Sequence, residues 1–199
     1  MKKETMDILS TAISDVGYWR WWDTTSDIAQ IEFGGVELFD VSKPGNAAKS
    51  SVIALRFSGN GFIVFFDCEK NVDVWYDELH DDKIEPFTLD YDSFSFNDSN
   101  YVFEVLKKYK IRKIINGNTI QDLISNVKYL LTATCGSIGF VAGGDELSIV
   151  GSNGKYEESD ITLLHEKWWA YWRDYWAKRE TLDAYEKDYA CEVTIPIKE

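Results

Sequence analysis

The sequence of this 199-residue chain predicts an α+β fold, a mainly antiparallel sheet packed against three or four helices. Strand-like segments cluster together instead of alternating with helices, which argues against a doubly wound parallel sheet. Hydrophobic residues make up 45% of the chain and aromatic residues 15%, which is enough apolar surface for a sizeable core. A long aromatic-rich helix is predicted near the C-terminus. We expect one domain over residues 1–199, with an alternative boundary near residue 98, where charge and periodicity change.

The first elements are a short helix and a group of strands. Apolar residues at helical spacing predict a helix over 5–16. The strand-like segments that follow are 28–33, 36–39, 51–57 and 62–66. Gly34-Gly35 lies between the first two segments and predicts a hairpin turn. Ser58 to Gly61 lies between the last two and predicts a second hairpin, because its glycines adopt positive φ at low cost.

Helical spacing returns in the second half of the chain. The residues that favour a helix N-cap there are Asp98, Ser99, Asn118 and Thr119. Two helices are therefore predicted. The first ends at Asn116-Gly117, and the second runs from Ile120 to Leu131. Residues 136–150 have the pattern of a hairpin around Gly143-Gly144-Asp145. An alternating strand is predicted over Cys191–Ile197.

The long helix, predicted from about Asp160 into the 180s, is the most unusual segment. Its ring-bearing residues are His165, Trp168, Trp169, Tyr171, Trp172, Tyr175 and Trp176. On a helical wheel the arc is roughly 160° wide, against the roughly 100° that a core-facing stripe needs. Packing is the main interpretation. The alternative is that the edge of the arc, near Trp169 or Trp176, is exposed as a contact for a partner or a flat ligand.

A second aromatic cluster spans Tyr18 to Trp22. In a strand, Trp19 and Trp21 share one face, with Arg20 between rings on the other. Packing is again favoured, because strands buried on both faces have the same composition. A platform for a sugar is the alternative interpretation.

Charge is unevenly distributed along the chain. The net charge is −13, and residues 67–98 hold eleven carboxylates against two lysines. Carboxylates of one sign, with Asp77, Glu78, Asp81 and Asp82 at the centre, attract a basic protein and repel nucleic acid. The basic run 107–113 is expected to face water or the acidic segment.

Motifs for catalysis and metal binding are missing from the sequence. The two histidines, His80 and His165, lack a partner at zinc-ligand spacing, and the three cysteines lie far apart without CxxC. No GxSxG, GxGxxG or P-loop pattern occurs. We therefore expect no catalytic residue, no cofactor and no metal. No long apolar run or signal sequence occurs, which favours a cytoplasmic protein with no membrane contact.

These patterns favour a non-enzymatic protein-binding module with an acidic face, and an immunity-like inhibitor of a basic protein is one version of it. The predicted partner-binding residues are Asp77, Glu78, Asp81, Asp82, Trp169 and Trp176. The alternative is a small-molecule or carbohydrate-binding domain, or an enzyme, with a tryptophan-lined pocket and carboxylates. The ligand-binding residues of that alternative are Trp19, Trp21, His165, Trp168 and Trp172. The sequence leaves the oligomeric state open.

Overall fold

The computed structural model describes residues 1–14, 18–25, 27–40, 50–68, 72–73, 93–111, 114–115, 117–135, 138–151 and 154–178. Four helices and twelve strands among these residues confirm the predicted α+β class. The helices are α1 (Lys3–Ser14), α2 (Ser99–Lys108), α3 (Ile120–Asn126) and α4 (Glu158–Lys178). The strands are β1 (Tyr18–Thr25), β2 (Ile28–Phe39), β3 (Ser50–Ser58), β4 (Phe62–Asp67), β5 (Val72–Asp73), β6 (Ser93–Phe96), β7 (Ile114–Ile115), β8 (Asn118–Thr119), β9 (Tyr129–Cys135), β10 (Ile138–Gly144), β11 (Glu146–Gly151) and β12 (Gly154–Tyr156).

The strands form two five-stranded sheets and a short ribbon. Sheet 1 has the order β1-β2-β3-β11-β12, and sheet 2 has the order β5-β4-β10-β9-β6. β7 and β8 make the ribbon. Every strand pair in the described part of the chain is antiparallel, as predicted.

A first hydrophobic core lies between the two sheets. Sheet 1 contributes alternate residues of its strands, such as Phe57, and sheet 2 contributes Phe65 and Phe140, whose ring centroids are 6.2 Å apart. Helices α1 and α4 pack against the same core through residues such as Leu9 and Ile161. Period-two alternation along each strand is therefore what selects the buried set.

A second core lies on the other face of sheet 2, under α2 and α3. β4 supplies Phe62, Val64 and Phe66 to it, while the intervening Phe65 belongs to the first core. Because both faces of this strand are covered, its sequence is a continuous apolar run. Leu123, on α3, is among the buried helical residues on this side.

Two of the predicted hairpins are wrong, because in each case the chain changes sheets at the turn. β3 pairs with β2 and β11 in sheet 1, whereas β4 pairs with β10 and β5 in sheet 2. In the same way, β10 belongs to sheet 2 and β11 to sheet 1. β4 is apolar on both faces, so both faces need to be covered. As part of sheet 2, it lies between the two cores, which cover one face each.

The hairpin turn predicted at Gly34-Gly35 is also wrong. β2 runs straight through these glycines, and its register against β3 shifts between Gly34 and Val36. Gly35 has φ 85°, so the extra residue forms a β-bulge that a glycine adopts without strain.

The two middle helices are shorter than predicted. α2 begins with Asp98, which accepts a hydrogen bond from the Tyr101 backbone N–H at 2.9 Å, and ends near Lys110, a left-handed residue with φ 56°. α3 begins at the Thr119 capping box and ends at Val127, which is extended. The last part of the predicted helix, from Tyr129 to Leu131, belongs instead to β9. The strand predicted over 191–197 lies outside the described residues.

Candidate functional site

Helix α4 begins with local hydrogen bonds that its sequence provides. The Glu157 backbone N–H donates to the Asp160 carboxylate at 2.9 Å, which is half of a capping box. Glu158 and Asp160 place negative charge in the first turn, where it favours the helix dipole. A 21-residue helix follows, long enough to carry two different side-chain stripes.

One stripe of α4 is buried in the molecule. Ile161 is 0% exposed, Leu164 3% and Tyr171 4%, at the spacing i, i+3, i+10. Ile161 and Leu164 belong to the first core, and the helix contacts β2. This confirms that the helix packs against the sheet.

The second stripe follows the spacing i, i+4, i+7, i+11 through His165, Trp169, Trp172 and Trp176. Trp169 is 40% exposed and Trp176 55%, and they are the exposed large hydrophobic residues in the described part of the chain. They lie two turns apart on one face, about 10 Å along the axis. The edge of the aromatic arc thus reaches the surface, whereas the role of these residues in partner binding stays a prediction.

Trp172 is the centre of the ring cluster. Its ring centroid lies 5.6 Å from that of Trp168, 5.2 Å from that of Tyr171 and 5.4 Å from that of Tyr175, all in edge-to-face geometry. Such pairs each stabilise by about 0.5–1.5 kcal/mol beyond the area they bury. Its indole N–H is buried without an acceptor among the described residues. The cluster therefore holds the second stripe of α4 in a defined shape.

An open groove of about 520 Å³ runs along this stripe. Four indoles line it, together with one carboxylate and one guanidinium. The lining residues are Glu37, Trp168, Trp169, Trp172, Arg173 and Trp176. The groove can hold an amphipathic ligand, because apolar ring faces are combined with a few polar groups.

Glu37 reaches the groove because of the β-bulge in β2. Before the bulge, odd-numbered residues such as Ile31 and Phe33 face the first core. After it, the even-numbered Val36 and Leu38 do, which turns Glu37 to the opposite face. Uninterrupted alternation would have directed this carboxylate into the core.

His165 lies beside the groove, one turn before Trp169. The Trp169 indole Nε1–H donates a hydrogen bond to His165 Nε2 at 3.0 Å, and the two rings meet edge to face with centroids 6.4 Å apart. Burial lowers the pKa of His165 below its ordinary value of 6.5, and the nearby Glu166 carboxylate partly offsets this. The imidazole is therefore neutral at pH 7.

The structure brings together only part of the predicted sites. Trp168 and Trp172, from the ligand-binding alternative, line the same groove as Trp169 and Trp176, from the partner-binding prediction. Trp19 and Trp21 lie in β1, as a strand assignment requires, but their side chains lie outside the described residues. So do Asp77, Glu78, Asp81 and Asp82.

Glu37 and Arg173 are the lining residues that the sequence did not predict. A signal for Glu37 was present in the Gly34-Gly35 pair, since a glycine pair within a strand-like segment also marks a bulge.

Three further findings concern similarity to known proteins, metal-ligand groups and membrane-spanning helices. No family model, curated protein or solved structure matches this chain. The described residues contain no group of three or more His, Cys, Asp or Glu side chains able to hold a metal ion. Within the same residues, no helix combines the length and apolar character that crossing a membrane requires.

Proposed function

We propose that this chain is a non-enzymatic binding protein that holds a cationic protein partner against the aromatic groove of α4. One observation carries the proposal: two tryptophans, Trp169 and Trp176, are exposed on a groove in a chain of net charge −13. Tryptophan is among the residues that contribute most affinity at protein interfaces. An immunity-like inhibitor of a basic protein is one form that this function takes.

Charge supports a basic partner over a second copy of the chain. Two copies, each at −13, repel each other, whereas a cationic surface is attracted and its association is accelerated. Arginine and lysine side chains also stack favourably on indole faces. The acidic segment 67–98, most of it outside the described residues, supplies the steering charge in this proposal.

A carbohydrate or another small polar ligand is the second candidate. The groove volume of about 520 Å³ is in the range of small-molecule sites, roughly 300–1,000 Å³. Glu37 and Arg173 place a planar acceptor and a planar donor beside the indoles. This combination suits a neutral ring with hydroxyl groups.

The test is a calorimetric titration of the protein with a nona-arginine peptide and with the neutral hexasaccharide cellohexaose. Trp169→Gln combined with Trp176→Gln removes both exposed indoles and leaves the net charge unchanged. We expect this variant to weaken peptide binding by about 30-fold, because a contact residue of this kind is worth about 2 kcal/mol or more.

The matched control carries Glu104→Gln and Lys107→Gln, two exposed changes on α2 that also preserve the net charge. It should bind the peptide as the parent does. Equal affinity of the tryptophan variant and the parent would mean that the peptide binds by charge alone and would refute the groove as the contact. Binding of cellohexaose that is lost in the tryptophan variant and insensitive to salt would establish the second candidate instead.

A further inference from the structure

The exposed indole of Trp169 is hydrogen-bonded to the side chain of His165. Its Nε1–H donates to His165 Nε2 at 3.0 Å, and the residues are one helical turn apart. An imidazole nitrogen accepts a hydrogen bond only when it carries no proton. The observed geometry therefore requires a neutral His165 with its proton on Nδ1.

The surroundings of His165 keep it neutral near pH 7. Burial lowers the pKa of its imidazole below 6.5, and among the described charged groups only Glu166, on the same helix, opposes this. Helix α1 and strand β2 pack against α4. Their charged side chains, none of which shifts this pKa, are Lys3, Glu4, Asp7, Glu32 and Glu37.

We propose that His165 positions Trp169 for contact with the partner and releases the indole when it is protonated, so that the groove binds its partner at neutral pH and loses affinity in acid. The inference rests on the function proposed above, and it names how that same site is regulated. A protonated imidazole presents N–H groups on both nitrogens, so the Trp169 N–H loses its acceptor. The new positive charge also opposes a cationic partner, and both effects act in the same direction.

Thermodynamic linkage adds a reciprocal consequence. If protonation of His165 weakens partner binding, the bound partner must lower the pKa of His165 by the equivalent factor. Coupling of this kind is commonly about 5-fold or more in affinity. A titration of His165, made with and without the partner, reports this lowering of its pKa.

The first experiment needs no ligand. Nuclear magnetic resonance follows the Trp169 indole N–H, assigned by its loss in Trp169→Phe, and the His165 ring, assigned by its loss in His165→Gln, from about pH 8 to about pH 5.5. We expect the two signals to move together with one midpoint below 6.5, the ordinary value for histidine.

His165→Gln is the informative variant, because its carboxamide oxygen accepts a hydrogen bond at every pH. In this variant the Trp169 signal should stay at its neutral-pH position throughout. His165→Ala lacks any acceptor and should hold the signal near its acid position. A Trp169 signal that does not move while His165 titrates, or that moves equally in His165→Gln, would overturn the positioning role.

The second experiment titrates nona-arginine into the parent and into His165→Gln at the two ends of this pH range. We expect the affinity of the parent to fall about 5-fold in acid and that of His165→Gln to stay constant. A parent whose affinity does not change although its Trp169 signal titrates would refute the regulation. No peptide binding at neutral pH would refute the proposed function, while the ligand-free titration still decides whether His165 positions Trp169.

Discussion

Glu158 joins the start of α4 to α1 through a carboxylate with several hydrogen-bond donors. The Lys2 backbone N–H donates to it at 2.7 Å and the Thr5 hydroxyl at 3.0 Å, and the Met1 amine lies 3.6 Å away. The Lys2 hydrogen bond contributes most to lowering the pKa of Glu158 below its ordinary value of 4.5, ahead of the Thr5 hydroxyl. The ionised form is thus favoured by folding.

A pH-dependent contribution to stability follows from this shift. Because the pKa of Glu158 is lower in the folded chain than in the unfolded one, its stabilisation is complete above the unfolded value and disappears as pH falls through the folded value. Glu158→Gln should therefore lower the urea midpoint at neutral pH and lose this difference in acid. The control is Glu157→Gln, which removes an exposed neighbouring charge. A pH-independent difference for Glu158→Gln would contradict the prediction.

The bulge at Gly35 shows how one residue changes a site. Composition and spacing predicted the ring-rich helix whose four indoles line the groove. They did not predict Glu37, because its face depends on one extra residue in β2, at φ 85° for Gly35. The same glycine pair that favours a hairpin turn also fits a bulge, and only the pairing with β3 separates them.

Helix α4 carries a gradient of burial that a substitution series can measure. Tyr171 is 4% exposed, whereas Trp176 is 55% exposed. We expect Tyr171→Ala to reduce the free energy of unfolding by about 3–5 kcal/mol, as for a buried aromatic residue. Trp176→Ala should cost about 1 kcal/mol or less, and Trp172→Ala an intermediate amount, because its ring contacts three others.

Urea denaturation of the three variants measures these costs. Large and equal losses at all three positions would mean that the second stripe of α4 is as structural as the first. The exposed tryptophans would then have no reason to be assigned to binding. Losses that follow burial would be consistent with a role of Trp169 and Trp176 in contact with a partner.

The segment predicted as the second middle helix shows where helical spacing misleads. The apolar face read as one helix from Ile120 to Leu131 is a short helix, α3, followed by strand β9. Leu130 faces the second core and Leu131 the first, which is the alternation of a strand. A short apolar run satisfies both periods, so the pairing partners of β9 decide between them.

Two chain crossings join the sheets of the molecule and lie side by side. The Asp145 backbone N–H donates to the Gly59 carbonyl at 2.8 Å, and the Asn60 carboxamide donates to the Asp145 carboxylate at 2.8 Å. The Asn60 backbone N–H also donates to the Asp27 carboxylate at 2.8 Å. The turns that carry the chain between the layers are therefore fixed to one another.

Asn60 allows this arrangement to be tested. It has φ 58°, a left-handed conformation that glycine adopts freely and alanine adopts at a cost of about 1–2 kcal/mol. Asn60→Gly removes only the side-chain hydrogen bond to Asp145, worth about 1 kcal/mol, whereas Asn60→Ala adds the backbone cost. Unfolding free energies should fall in the order parent, Asn60→Gly, Asn60→Ala. Equal losses in the two variants would mean that the backbone at this position relaxes.

The layered architecture explains why the positions of the strands were predicted better than the pairing between them. β3, β4, β10 and β11 each contain a segment that was predicted as a strand, yet the two hairpins predicted among these four segments pair the wrong strands. A glycine-rich turn specifies that the chain reverses, but not whether the next strand joins the same sheet. The single-domain prediction and the role of the acidic segment stay predictions.

The amino-acid sequence alone predicts the α+β class, most strand segments, the capped starts of α2 and α3, and an aromatic helix with an exposed edge at Trp169 and Trp176. These features depend on local periodicity, capping and composition, which residues near in sequence decide. The two-sheet topology and the groove with Glu37 depend on which surfaces are covered by other elements. Burial of both faces of β4 requires a layer on each side, and that is a property of contacts between residues distant in the chain.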